Sequence, residues 1–264
     1  MLKIISEIKP ERKIIDLNEG EYANLKYSSP YSIALDMCEH LIATNGICTL
    51  KMKREPNNIQ TFFKIAKILK EEVSKYSLEG ANENEKLTVL FDLPINRKNK
   101  VTEENYFLPH KKEDGYNVIN FRLALKNTTR LDETDPYSFI ENDNSNIVKI
   151  SSDSKGNSKN CGQIASYILR AFVKDDTDTT LSFVSSKYNN SLEVKAYGAL
   201  IIMERMRKED LGMICGSFDK IPVKYRNKKI KIFGEIEEDK EVTKKATKIN
   251  LHFALKNGVI FNGR

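Results

Sequence analysis

Residues Val118 to Lys126 read Val-Ile-Asn-Phe-Arg-Leu-Ala-Leu-Lys, and this strict alternation constrains the fold more than any other stretch of the chain. Period two puts Ile119, Phe121, Leu123 and Leu125 on one face and Asn120, Arg122, Ala124 and Lys126 on the other. A half-buried β-strand requires that pattern and an amphipathic helix does not produce it. Ile119 to Asn127 is echoed by Ile249 to Asn257, which lies 130 residues later and matches at six of nine positions. Phe91-Asp92-Leu93-Pro94 is echoed more faintly by Phe218-Asp219-Lys220-Ile221-Pro222. A duplication of some 130 residues would give both echoes and two similar lobes. Two amphipathic strands serving one basic surface would converge on the same pattern without common descent.

Ile47 to Lys53 reads as a strand, ended by Glu55-Pro56-Asn57-Asn58, which is turn and helix N-cap chemistry. The helix that follows carries Phe62, Ile65, Ala66, Leu69, Val73 and Tyr76 in one stripe, with Lys64, Lys67, Lys70, Glu71 and Lys75 outside it. Leu87 to Leu93 reads as a buried strand, after which a charged loop reaches Tyr106-Phe107. Further strands are expected at Asn146 to Ser151, Ser166 to Lys174, Thr179 to Ser185, Met213 to Phe218, Lys228 to Gly234 and Thr247 to Lys256. A second helix from Leu192 to Glu209 turns Leu192, Ala196, Ala199, Leu200, Met203 and Met206 inward, with Gly212 beyond its end. Two helices among this many short strands predict a β-rich α+β protein.

The chain has 264 residues, 40% hydrophobic and 30% charged, enough to bury a core and unlike a disordered chain. No apolar run approaches the roughly 20 residues that span a bilayer. Lys3 and Glu7 interrupt the start before a signal-peptide core can form. The expected home is cytoplasm or nucleoplasm, and no membrane partner is expected. Cys38, Cys48, Cys161 and Cys215 lie far apart without paired spacing, which fits a reducing compartment.

The net charge of +6 hides its own distribution. From Lys220 to Arg264 there are 12 Lys and Arg against 5 Asp and Glu, a local charge of +7 that leaves −1 for the rest. A near-neutral body with one basic stretch points to an anionic partner such as a phosphate backbone, and equally to a solvated lysine-rich surface. Within that stretch Tyr225 and Arg226 precede Lys229, Lys231 and Phe233, three residues that alternation assigns to one face. Arg170, Phe172 and Lys174 form a similar row on the expected Ser166 to Lys174 strand. Cations follow phosphates and rings stack bases, so interleaving them suits sequence-tolerant single-strand binding. The plainer alternative is a sheet in which both Phe are core and the lysines solubilise an edge.

Cys38, His40, Cys48 and Cys161 match no standard zinc spacing, and no cofactor or metal is expected. The Asp175-Asp176-Thr177-Asp178 and Glu237-Glu238-Asp239 runs read as solvated turns, though they motivate the alternative of a metal-dependent nuclease. Ser154-Lys155-Gly156-Asn157-Ser158-Lys159 lacks the frame of a phosphate loop. Nothing here demands catalysis, and a non-enzymatic role is expected. RNA binding would also suit the basic and aromatic rows, and a scaffold or regulator would contact proteins through the Leu192 to Glu209 helix.

The order of these elements resembles the OB-fold single-stranded-DNA-binding proteins of DNA viruses, of the short-tailed phage, poxvirus and baculovirus type. The matching pieces are Gly46 to Tyr76, Tyr106 to Asn127 and Ile147 to Gly156, with Leu17 to Asn24 and Lys248 to Lys256 resembling the poxvirus protein, somewhat over a third of the chain together. The resemblance implies a five-stranded OB-type barrel with a helix inserted after its first strand, and a further helix and strand insertion before its last. It implies one domain over residues 1–264, with about 175–246 as a candidate second subdomain. It further implies single-stranded DNA as ligand, self-association along DNA, replication proteins as partners, and work in replication and recombination in the cytoplasm or nucleus of an infected host cell. By resemblance Lys51, Lys53, Lys111, Lys112, Arg122, Lys126, Lys155 and Lys248 face the DNA. Phage members end in an acidic tail, whereas this chain ends in Phe261-Asn262-Gly263-Arg264.

Overall fold

Alternating strands bury one face each, and here those faces are covered by a single layer of helices. The computed structural model describes residues 11–23, 29–53, 55–76, 86–92, 116–127, 139–140, 146–150, 160–175, 179–184, 191–206, 228–239 and 246–257. In chain order the elements are β1 (Arg12–Asp16), α1 (Pro30–Thr44), β2 (Ile47–Lys53), α2 (Pro56–Val73), β3 (Lys86–Asp92), β4 (Tyr116–Asn127), β5 (Phe139–Ile140) and β6 (Asn146–Lys149). They continue as α3 (Cys161–Asp175), β7 (Thr179–Val184), α4 (Ser191–Met206), β8 (Lys228–Asp239) and β9 (Ala246–Asn257). The fold is α+β. Its strands form one open mixed sheet in the order β1-β2-β4-β3-β8-β9-β7-β6, with β5 attached to β4. No closed five-stranded barrel is formed among the described residues.

The order is symmetric about its centre. β1 runs parallel to β2 and β6 parallel to β7, while β2–β4, β4–β3, β8–β9 and β9–β7 are antiparallel. Each half is therefore one β-α-β-α-β-β unit, and the chain carries it twice. Local chemistry repeats with it. The Leu17 N–H donates to the Lys51 carbonyl at 2.9 Å, and the Ile150 N–H donates to the Ser182 carbonyl at 2.8 Å, at equivalent places. In α1 the buried residues are Ile33, Ala34, Met37, Cys38 and Leu41, and in α3 Ile164, Ala165, Ile168, Leu169 and Phe172 occupy the same five positions 131 residues on. The echo of β4 in β9 is thus the visible part of a structural repeat. The second echo does not belong to it: the strand pairing makes Gly234 the counterpart of Phe91, and Phe218 lies outside the described residues.

Among the described residues the two halves of the sheet meet at one strand bridge, Phe91 opposite Gly234, about which the repeat is a pseudo-twofold. A Cβ at Gly234 would stand 2.1 Å from Cζ of Phe91, so only glycine admits the ring. That ring cannot swing away, because Phe62 meets it edge-on at 5.4 Å and Phe121 lies 6.2 Å from it. Phe62 of α2 in turn meets Tyr197 of α4 at 5.6 Å, joining the helix layers over the same axis. Among its described side chains α4 is buried nearly all round, at Val194, Ala196, Tyr197, Ala199, Leu200, Ile201 and Met203.

Four helices rather than two lie among the described residues, and one is a correction. Ser166 to Lys174 is helical, within α3, not a strand. Its apolar residues recur as adjacent pairs every four positions, a helical period that a window of nine residues obscures. Its start is a reciprocal cap: the Gln163 N–H donates to Oδ1 of Asn160 at 2.8 Å and the Asn160 N–H donates to Oε1 of Gln163 at 3.0 Å. α1 begins alike, with the Ser32 N–H donating to Oγ of Ser29 at 3.1 Å. The expected strand at Met213 to Phe218 lies outside the described residues.

Gly234→Ala should destabilise the protein by about 1–3 kcal/mol, the usual cost of overpacking a filled core. Adding Phe91→Leu should recover part of that loss in urea titrations, because it removes the ring that a new Cβ would strike.

Candidate nucleic-acid interface

Strand register sorts the sheet into a helix-covered face and an opposite face, which Lys70 of α2 reaches at Glu235 and Glu237. Across the opposite face each half presents the same cross-strand row. Ile14, Thr49, Asn120 and Asp92 are successive neighbours in one half, and Ile147, Thr180, Asn250 and Glu235 in the other. Thr49 Oγ1 donates to Oδ1 of Asn120 at 2.8 Å, and Thr180 Oγ1 donates to Oδ1 of Asn250 at 2.9 Å. A basic side chain stands by each acid: Arg122 is 3.7 Å from Asp92 and His252 Nε2 is 3.6 Å from Glu235. Ile14 and Ile147 end the rows 61% and 57% exposed. The centre of the face is not open, because Leu90, Ala124 and Phe233 form a small buried cluster there.

The acids of the second half are tied inward. Glu235 is 1% exposed, and it accepts from Thr88 Oγ1 at 2.7 Å and from Lys70 of α2 at 2.7 Å. Lys70 also donates to Glu237. Glu237 and Glu238, expected as part of a solvated acidic turn, thus belong to strand β8, and Lys70 of α2 is shared between two of its carboxylates, Glu235 and Glu237. Among the described residues no three His, Cys, Asp or Glu side chains group as a metal site. Cys38, Cys48 and Cys161 are buried and form no disulfide, and burial pushes the Cys48 thiol up to about 12. No described helix is long and apolar enough to cross a membrane.

The expected binding residues divide as follows. Lys53 is exposed at the end of β2, and Lys51 is ion-paired with Asp16 at 2.8 Å. Arg122 is half-buried beside Asp92, and Lys248 is half-buried on β9 opposite Glu237. Arg170 is exposed on α3. Phe172 is core, inside the helix layer, so the strand row it formed with Arg170 and Lys174 does not exist. Phe233 is buried with Leu90 and Ala124 and presents no open ring for a base. Lys126, Lys229 and Lys231 lie on β4 and β8, and Lys174 on α3, without described side chains. Lys111, Lys112, Lys155, Tyr225 and Arg226 lie outside the described residues.

Two features escaped the sequence reading. Tyr167, 43% exposed, lies one helical turn before the exposed Arg170 on α3, so a cation and a partly exposed ring share one helix face. Lys149 is exposed on β6, the edge strand of the second half. The periodicity of α3, once read as helical, would have shown the first. The second needed the strand order.

At the opposite edge Asp36 accepts from Lys13 and from the Tyr22 hydroxyl. Burial works to raise the Asp36 carboxyl, but these hydrogen bonds outweigh it and hold it below its usual 3.8. Asp16 behaves alike, with bonds from Lys51 and Asn18 overcoming burial. Burial, and then Asp36, raise the Tyr22 hydroxyl.

Depressed carboxyl values stabilise the fold above the unfolded value and lose that contribution as pH falls through the folded one. Stability should therefore drop as pH falls below about 4, and Asp36→Asn should flatten that drop in denaturant titrations between pH 5 and 2. Lys70→Met should cost about 3–5 kcal/mol, the loss typical of a buried charge deprived of its partner. No protein-family model, curated protein or solved structure matches this chain, so the interface rests on its own geometry.

Proposed function

We propose that the protein binds single-stranded nucleic acid without sequence preference, through phosphate contacts on the outlying strands of its sheet. The observation that carries this reading is the segregation of charge along β8 and β9. Residues 228–234 contain Lys228, Lys229 and Lys231 with no acid, and their ladder partners on β9 include Lys256. All of the strand's acids, Glu235, Glu237, Glu238 and Asp239, fall in its other half, where Lys70 engages Glu235 and Glu237. Acids held in pairs do not repel a polyanion as free ones would, and the lysine end is left as the attractive one.

Tyr167 and Arg170, both exposed on α3, put a ring and a cation within one helical turn, a pairing that suits a single strand, whose unpaired bases stack on rings where a duplex hides its base faces. The stacking role expected of Phe172 and Phe233 is not part of the proposal, and neither is a groove on an OB barrel. The cellular role that goes with this reading is coating and protecting exposed DNA strands in viral replication and recombination, without catalysis.

Competition binding among single-stranded DNA, duplex DNA and single-stranded RNA, at two salt concentrations, tests it. Single strands should win, Tyr fluorescence should fall on binding, and log affinity should decline with log salt at about −0.7 per phosphate contacted. Preference for duplex, or affinity indifferent to salt, overturns the reading.

A further inference from the structure

The pseudo-twofold relates more than the core. Lys86 of β3 stands directly opposite Lys126 of β4, and Lys229 of β8 stands directly opposite Lys256 of β9. Each is the equivalent of the other. Lys86 lies five residues before Phe91 and Lys229 five before Gly234, the two residues on the axis. β2 pairs with β4 only as far as Phe121, and β7 with β9 only as far as Leu251. Both lysine pairs therefore sit on two-stranded ribbons that continue past the neighbouring strands, with β5 flanking the first at Lys126. Because β3 and β8 are antiparallel, the ribbons point in opposite directions.

Like charges placed directly opposite on paired strands destabilise a sheet. One lysine at each site would serve solubility as well, so two at each of two equivalent sites are unfavourable without a bound anion. We propose that the two lysine pairs are the terminal phosphate contacts of one nucleic-acid strand that reaches from ribbon to ribbon, passing outside the buried Leu90, Ala124 and Phe233 cluster at the centre of the face. This rests on the single-strand reading above and adds to it a footprint. Five residues on either side of the axis, at about 3.3 Å each, set the pairs about 33 Å apart along the strand direction. That is about 10 nucleotides at the helical rise of 3.4 Å, and fewer for a stretched strand. Glu83 and Glu85 precede Lys86 in the chain, whereas no acid lies within residues 225–234, so the β8–β9 pair is the stronger contact.

The test uses the full chain with a ladder of fluorescent oligo-dT and three variants: Lys86→Thr with Lys126→Thr, Lys229→Thr with Lys256→Thr, and all four together. Threonine keeps strand preference and removes the charge. Wild-type affinity should rise with oligonucleotide length until both ribbons are reached and then level, and either two-site variant should lose that rise. Each pair removed should lower the magnitude of the salt slope by about 1.4, and all four by about 2.8. Melting temperatures of the variants should match or exceed wild type, which separates lost contacts from lost folding. If wild type binds and the four-site variant keeps its slope and length dependence, the two-ribbon inference fails and the single-strand reading stands. If wild type binds no oligo-dT at low salt, the single-strand reading fails and takes the inference with it.

Discussion

One pair of residues bridges the two halves of the sheet among the described residues. Phe91 and Gly234 face each other at the only bridge formed between β3 and β8 among the described residues, and the ring of one fills the space that the other leaves by having no side chain. A repeat folded about a twofold brings equivalent residues together at its axis, so identical side chains would collide there. Here the collision is avoided by making the two copies differ. The aromatic group around Phe91, formed by Phe62, Phe121 and Tyr197, then ties both α2 and α4 to the same point. The continuity of the sheet among the described residues, and with it the relative placement of both ribbons, passes through that one complementary contact.

Away from the axis the copies keep what their sheet face needs. Polar groups under cover must be hydrogen-bonded, and the Thr–Asn bond is formed in the same way in each half. The acids beside it are handled differently. Asp92 has a guanidinium near it, whereas Glu235 is fully buried and takes Lys70 from the helix layer. That connection withdraws negative charge from the half of the sheet whose strands carry the basic C-terminal stretch. The opening asymmetry of +7 against −1 is thus divided again within a single strand, into a basic end and an acidic one that Lys70 partly offsets.

The parts of the fold that are legible in the sequence are those whose pattern is complete within one element. β2, α2, β4 and β9 carry clear periods, and their observed limits lie within a few residues of the expected ones. α3 reads as a strand because Arg170, Phe172 and Lys174 alternate locally inside a helical stripe, and the deciding cap, Asn160 with Gln163, lies six residues upstream of the expected strand. The binding residues are less legible. Alternation tells which residues share a face of a strand, and it cannot tell that Phe233 faces a buried cluster while Arg170 faces solvent.

Sequence alone therefore determined the α+β class, the repeated strand and the concentration of basic charge near the C-terminus, because each is a property of composition or of spacing along the chain. Tertiary structure alone decided that the repeat spans two whole β-α-β-α-β-β units, and that its lysines meet in opposed pairs at two ends. Insertions between β3 and β4, and between β7 and β8, shift the spacing from one element to the next. No single offset aligns the copies, and the matching residues are brought into correspondence only by the hydrogen-bonded register of the folded sheet.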